Sequence, residues 1–266
     1  MIGGDGTLTA ASRITDNIAD RGLKIGVVGV PKTIDNDIYM VSRSFGFDTA
    51  VDVATSAIIS ASNEAEGYPN GIGLIKLMGR HSGFIAATAV LAQQDVNFVL
   101  IPEIDFDLEG PNGLLNALEK RLAERKHAVI VVAEGAGQKF FDSEKNERDA
   151  SGNIKLKDIG IYLKEAIGAY FAGKGIDISI KYIDPSYMIR SLPANANDRV
   201  FCNFLGRNSV HAGMSGRTGM LIGHWNNQFV HVPMKLIAEK RKKVNPGGSL
   251  WRSTLEATGQ GSLKSK

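Results

Sequence analysis

The sequence predicts an α/β fold built on a largely parallel sheet, and three observations carry that expectation. Short apolar runs of strand length alternate with stretches whose apolar residues recur at helical spacing. One run, residues 128–133, contains no polar side chain, as a strand covered on both faces requires. Polar clusters begin where the runs stop, at the sheet edge where open α/β folds hold ligands.

Taken in order, residues 25–30 read as a strand feeding the segment Pro31-Lys32-Thr33-Ile34-Asp35-Asn36-Asp37. Asp48 is a plausible N-cap for a helix in which Val51, Ala54, Thr55, Ile58 and Ile59 share a face. Residues 72–77 form the next strand, residues 82–93 a buried helix, and residues 97–101 a strand ending at Pro102-Glu103. Leu114, Leu118 and Leu122 mark an amphipathic helix, and the apolar strand 128–133 ends at Glu134. Residues 139–153, charged and containing Gly and Ser, read as a surface loop, followed by a helix over 158–171. Ile176, Ile178, Ile180 and Tyr182 alternate as a half-buried strand. Asn226-Asn227 between two apolar runs reads as a hairpin turn. Beyond residue 255 the Gly-, Ser- and Lys-rich tail is expected to fray.

Composition narrows the class. A chain of 266 residues can bury a sizeable core in one or two domains, and 43% hydrophobic with 22% charged residues is ordinary for a soluble protein. A net charge of +3 gives no case for nucleic-acid binding. No apolar run reaches the roughly 18 residues of a membrane span, and the start lacks the basic and apolar regions of a secretory signal. Cys202 is the lone cysteine, which fits a reducing, cytoplasmic setting; its helical context places it in the core.

Two motifs carry chemistry. In an extended segment Asp35 and Asp37 fall on the same side, so one carboxylate can take a proton while the other holds a hard cation such as Mg²⁺. An Asx-rich turn is the plain alternative. Gly3-Gly4-Asp5-Gly6-Thr7 offers close backbone approach and N–H groups suited to phosphate oxygens, with Asp5 as a possible metal carboxylate; a glycine turn at a strand end is its plain alternative.

Together these motifs resemble the phosphofructokinase family. Met78-Gly79-Arg80 with Ser82-Gly83, Pro102-Glu103, Ala133-Glu134-Gly135 and Asp184-Pro185-Ser186-Tyr187-Met188-Ile189-Arg190 follow in that family's order, over about residues 2–235. The resemblance implies two similar Rossmann-like α/β domains, the first one incomplete: residues 1–46 with 191–235 on the nucleotide side, residues 47–190 on the fructose 6-phosphate side, and 236–266 as a C-terminal helix and tail. It implies Mg²⁺-dependent phosphoryl transfer from ATP to the 1-hydroxyl of fructose 6-phosphate, in a cytoplasmic homo-oligomer.

Carried over residue by residue, the resemblance makes Asp35 the base, with Arg80 stabilising the transferring group and Thr33 contacting sugar or phosphoryl. Asp5 and Asp37 would hold Mg²⁺; Gly4, Asp5, Gly6 and Thr7 would bind nucleotide. Ile34, Met78, Gly79, Glu134, Tyr187, Met188, Ile189 and Arg190 would line the substrate site. Lys181 would reach the 6-phosphate, often that of a neighbouring subunit, or else be a strand lysine on the wet face. The histidines lack metal-ligand spacing and read as structural.

The donor turns on Gly6 and Lys32. Pyrophosphate enzymes of the family carry aspartate at the position of Gly6, so Gly6 leaves room for the α-phosphate of ATP; Lys32 points to pyrophosphate. The pyrophosphate-dependent enzyme is therefore the near alternative. A kinase of the NAD or diacylglycerol type, sharing only the glycine motif, is a distant one. A third is an inactive fragment or silent subunit: only Met1 and Ile2 precede the glycine loop, too little on sequence grounds for the strand that should deliver it.

Overall fold

The computed structural model describes residues 1–141, 155–238 and 240–265. Along the chain the first elements are β1 (Ile2–Gly3), α1 (Asp5–Asp20), β2 (Val28–Pro31), α2 (Phe47–Glu66), β3 (Gly71–Leu77) and α3 (Phe84–Ala92). Then come β4 (Phe98–Leu100), α4 (Leu114–Arg125), β5 (His127–Ala133), α5 (Ile159–Gly173), β6 (Ser179–Ile183) and α6 (Ser186–Ile189). The series closes with α7 (Ala196–Met214), β7 (Met220–Trp225), β8 (Gln228–Pro233), α8 (Met234–Ala238) and α9 (Ser249–Thr258). The fold is α/β, and the chain divides into two compact units, 1–50 with 190–243 and 51–189 with 244–266. The segment after residue 235 thus does not stand apart: 236–243 joins the first unit and the rest the second.

The first unit holds a sheet of order β1-β2-β7-β8, parallel except for the β7–β8 hairpin. β7 is covered on both faces. Leu221 joins Leu8, Ile38, Val41, Val232 and Ile237, while its neighbours Met220 and Ile222 pack on Phe201, Leu205 and Ala212 of α7. The hairpin turn is where the sequence places it, with Asn226 at φ 45° and Asn227 at φ 60°, the left-handed pair that a two-residue turn needs. Asp198 in the first turn of α7 is buried and accepts hydrogen bonds from Thr49 N–H at 2.8 Å and Thr49 Oγ1 at 2.6 Å.

The second unit holds an all-parallel sheet of order β4-β5-β3-β6. Along β3 and β5 the even-numbered residues Ile72, Leu74, Ala128, Ile130 and Val132 join one core with Leu118 and Leu122 of α4 and Leu163, Ile167 and Phe171 of α5. Each such large side chain contributes about 1.5–3 kcal/mol by leaving water.

Several sequence expectations need correction. The strand expected over 25–30 begins only at Val28, and Ile25 is exposed. The alternation from Ile176 likewise becomes strand only at Ser179, although β6 is half-buried throughout. Asp48 is not the N-cap of α2, which already starts at Phe47; it lies in the first turn, where Arg43 pairs with it at 2.7 Å. A short strand does lead into the glycine loop: β1, Ile2–Gly3, pairs in parallel with β2, Ile2 opposite Val30. Cys202 is exposed, because α7 turns Phe201 and Leu205 inward and the next residue is rotated off that face.

The tail is also tied down rather than frayed. Gln260 accepts from Val99 N–H at 2.6 Å and donates to the Val99 carbonyl at 3.2 Å. Leu263 is buried in the core of the second unit. The loop expected over 139–153 lies mostly outside the described residues; its start is a short 3-10 turn at Gln138–Phe140.

Candidate active site

In the first unit, β1 ends where α1 begins, and the glycine motif becomes the first turn of that helix. Gly4 is the N-cap and no side chain caps it. The first backbone N–H groups of a helix have no partner within it and carry the positive end of its dipole, a natural seat for phosphate oxygens. A Cβ built on Gly6 would meet nothing within 4 Å, so open space lies beside this turn. Thr7, in the same first turn, is half-buried.

The second loop of this unit follows β2 and lies against the first. Lys32 N–H donates to the Gly3 carbonyl at 3.0 Å, and a Cβ on Gly4 would fall 3.4 Å from Thr33 Cβ. Thr33 Oγ1 accepts from Asp35 N–H at 3.2 Å. The run is not extended: it turns at Ile34 and Asp35, and Asn36 adopts φ 52°. The alternation that would put Asp35 and Asp37 on one side therefore does not apply. Asn36 is held inside by its own side chain, whose Oδ1 accepts from Ser44 N–H at 3.1 Å. Asp35 and Ile34 are left half-buried, Asp37 is buried at 5% exposure, and Lys32 is exposed.

Asp5 and Asp37 nevertheless converge on one cation. Arg241 reaches Asp5 Oδ2 at 3.0 Å and Asp37 Oδ2 at 3.8 Å. Burial pushes the Asp37 carboxyl up, and the Arg241 guanidinium opposes it. Next to it, burial holds Lys242 down to about 8, with Asp37 working the other way. Lys242 N–H donates to the Asp37 carbonyl at 2.9 Å, and its ammonium donates to the Val41 carbonyl at 2.7 Å. Two carboxylates facing one positive group form the kind of donor set that Mg²⁺ uses, since it binds through one or two carboxylates and completes its shell with phosphate oxygens and water. The residues present fit that ion. Arg241 and Lys242 were missed from sequence; the only signal was the basic run 240–243, which reads as a solvated surface.

In the second unit, β3 and β5 end side by side and deliver Met78-Gly79-Arg80 and Glu134-Gly135. Glu134 N–H donates to the Leu77 carbonyl at 2.9 Å and Gly135 N–H to the Gly79 carbonyl at 3.2 Å. Gly79 sits at φ 139°, and a Cβ there would fall 2.5 Å from the Ser82 carbonyl oxygen. A Cβ on Gly135 would fall 2.0 Å from the Arg80 carbonyl oxygen, so the two loops touch backbone to backbone. Glu103 supports this corner: both its oxygens accept from Gly83 N–H, the N-cap of α3, at 3.1 and 3.0 Å. Met78, Arg80 and Glu134 are half-buried at the carboxyl edge of the sheet.

The Asp184–Arg190 segment follows β6. Tyr187 and Met188 are exposed, 76% and 65%, whereas the Ile189 side chain is in the interior at 1%, which leaves only its backbone to meet a ligand. Arg190 is exposed and falls in the first unit. Lys181 does not join this group. It lies opposite Gly73, about 13 Å along the strand from Leu77, with its ammonium 5.0 Å from the Tyr68 ring centre.

With this geometry in hand, the comparisons with known proteins are specific. The family profile described as Phosphofructokinase matches residues 1–212. The ATP-dependent 6-phosphofructokinase of Borreliella burgdorferi is 55% identical over 265 residues, covering 97% of this chain and 59% of that protein. The enzyme of the same name from Amycolatopsis methanolica is 50% identical, covering 98% of this chain and 58% of that one. The chain thus spans about three-fifths of the length of the curated relatives it matches. Among solved structures, a pyrophosphate-dependent phosphofructokinase from Marinobacter aquaeolei superposes with a TM-score of 0.75 at 21% identity, over 98% of this chain and 67% of that one, a likeness of fold. The matched profile and the identity to these relatives settle the point: this chain belongs to the phosphofructokinase family.

Proposed function

We propose that this chain carries the catalytic and donor-binding groups of a 6-phosphofructokinase that uses ATP to phosphorylate the 1-hydroxyl of fructose 6-phosphate, the step of glycolysis that gives fructose 1,6-bisphosphate. One observation carries the reading: the open first turn of α1 and the Thr33–Asp37 turn lie against each other in the first unit, pairing an anion seat with a carboxylate able to take a proton. Asp35 accepts the proton of the 1-hydroxyl, the freed oxygen bonds to the terminal phosphorus, and the bond to the leaving diphosphate breaks. Thr33 holds the turn through Asp35 N–H. Asp5 and Asp37 would hold Mg²⁺, which supplies charge neutralisation on the donor phosphates.

In the second unit Arg80 offsets charge on the transferring group, and Glu134 accepts hydrogen bonds from sugar hydroxyls. Tyr187 binds the sugar phosphate, with Met78, Gly79 and the backbone at Met188 as substrate contacts of the same unit; Arg190 and Ile34 are the substrate contacts that the first unit supplies. Lys181, remote from these groups along β6, serves a second copy of the chain, consistent with a homo-oligomer.

ATP is favoured over pyrophosphate by the open space at Gly6, which an aspartate would fill, and by the relatives at 50–55% identity, which bear the ATP-dependent name. Lys32 favours the other donor. The test is initial-rate measurement with Mg-ATP and Mg-pyrophosphate in parallel, on the wild-type chain and on Asp35→Ser. Loss of turnover by about 10²–10⁴-fold with sugar-phosphate affinity retained supports the base assignment. Near-normal turnover in the variant removes it, and turnover with pyrophosphate alone replaces the donor.

A further inference from the structure

Lys76 stands out in the second unit because it is a lysine inside a buried parallel strand. It is 9% exposed, in a strand whose every residue is buried. Its ammonium reaches Asp158 Oδ2 at 2.6 Å and Asp184 Oδ2 at 2.8 Å. Asp158 is the N-cap of α5, accepting from Gly160 and Ile161 N–H at 3.0 and 3.1 Å, and it also accepts from the Tyr182 hydroxyl at 3.2 Å. Asp184 divides its two oxygens. Oδ2 faces Lys76, while Oδ1 accepts from both the N–H and the hydroxyl of Ser186, which opens the turn carrying Tyr187 and Met188. The turn closes with Ile189 N–H donating to the Pro185 carbonyl at 2.9 Å.

Only the lysine end is buried, since the Asp158 and Asp184 side chains each keep 35% exposure, and ion pairs that reach solvent in this way add little to stability. What this cluster gives that an apolar core cannot is a fixed direction for Asp184. Lys76 is also two residues ahead of Met78, so one strand both delivers the Met78-Gly79-Arg80 loop and anchors the start of the 184–190 segment. We infer that Lys76 is a positioning residue for sugar-phosphate binding: it clamps Asp184, and Asp184 holds the turn that presents Tyr187. The inference rests on the sugar-phosphate reading of that turn.

The test compares the full chain with Lys76→Met and with Asp184→Asn, the second being a change at a half-exposed side chain that leaves the strand intact. Amide hydrogen exchange over residues 186–190 is read against that over β3 and β6, in ligand-free protein. Roughly tenfold faster exchange confined to 186–190 in both variants is the expected result. Calorimetric titration should show fructose 6-phosphate affinity falling roughly tenfold while that for Mg-ATP stays within about twofold. A purely structural lysine would instead speed exchange along the whole sheet and weaken both ligands, which would overturn the inference, as would unchanged exchange at 186–190. If the wild-type chain binds no fructose 6-phosphate, the sugar-phosphate reading fails by itself, and the exchange comparison still decides the clamp.

Discussion

Gly135→Ala tests whether close backbone approach at the ends of β3 and β5 sets the position of Arg80. The added Cβ would lie 2.0 Å from the Arg80 carbonyl oxygen, 2.7 Å from its carbon and 3.0 Å from the Gly79 carbonyl oxygen. An ordinary separation is about 3.5 Å, so the loops must part by about 1.5 Å. That opening strains or breaks the Gly135 N–H bond to the Gly79 carbonyl. Overpacking of this kind costs about 1–3 kcal/mol, and a lost hydrogen bond about 1 more. A displacement of about 1 Å at a catalytic group can lower turnover on the order of 10²-fold. Urea unfolding reads the first effect, and initial rates at saturating Mg-ATP read the second. Gly168→Ala serves as the control: a Cβ there meets nothing within 4 Å, inside α5, and should be neutral or stabilising by about 0.5–1 kcal/mol. A Gly135→Ala variant with the unfolding midpoint and turnover of the wild type would refute the argument from backbone contact.

Three further outcomes are expected. Gly6→Asp should depress activity with ATP far more than with pyrophosphate, and equal losses in parallel rate assays would remove the exclusion argument. Asp198→Ala should cost about 1–3 kcal/mol in urea unfolding, because it leaves the N–H and hydroxyl of Thr49 without their acceptor while Arg43 keeps its closer pair with Asp48; a cost under about 0.5 would show that the Thr49 groups relax to solvent. For Asp158, burial works against the charged form, but the hydrogen bond from Lys76 and those from backbone N–H outweigh it and hold the carboxyl below its usual value. A lowered folded-state value means that the folded chain binds fewer protons than the unfolded chain. This contribution is therefore present above about pH 3.9 and is lost as pH falls through the lowered value. Asp158→Asn, which keeps the helix cap, should flatten the acid limb of a stability–pH curve, and an unchanged limb would contradict it.

The sequence made much of the second unit legible because its elements bury whole faces. The leucines of α4 and the unbroken β5 leave no other reading. The hairpin at Asn226-Asn227 was equally plain, since few pairs accept two left-handed positions. The misses were of two kinds. Strand starts and the cap of α2 were misjudged because propensity extends past the point where hydrogen bonding stops. The geometry of the Thr33–Asp37 run was misjudged because alternation assumes an extended chain, and the left-handed conformation at Asn36 depends on Ser44, eight residues away. At the candidate site, residue types and spacing pointed to Asp5, Asp35 and Asp37, and the family resemblance to Thr33 and Arg80. Arg241 and Lys242 could not be found that way, because only tertiary contact brings them to the carboxylates. Nor could the place of Lys181 opposite Gly73, which depends on strand register.

The contact between Gln260 and Val99 has a consequence for self-association. β4 is the outer strand of its sheet, and such a strand offers its unused N–H and C=O groups to any passing chain. The primary amide of Gln260 takes both groups of Val99, acting as one residue of a neighbouring strand, and the following chain carries Leu263 into the core. A side chain can occupy that edge without offering a further edge beyond it. Cutting the chain before residue 260 would expose both the β4 edge and the apolar surface under Leu263, turning a capped edge into a template for intermolecular strand addition.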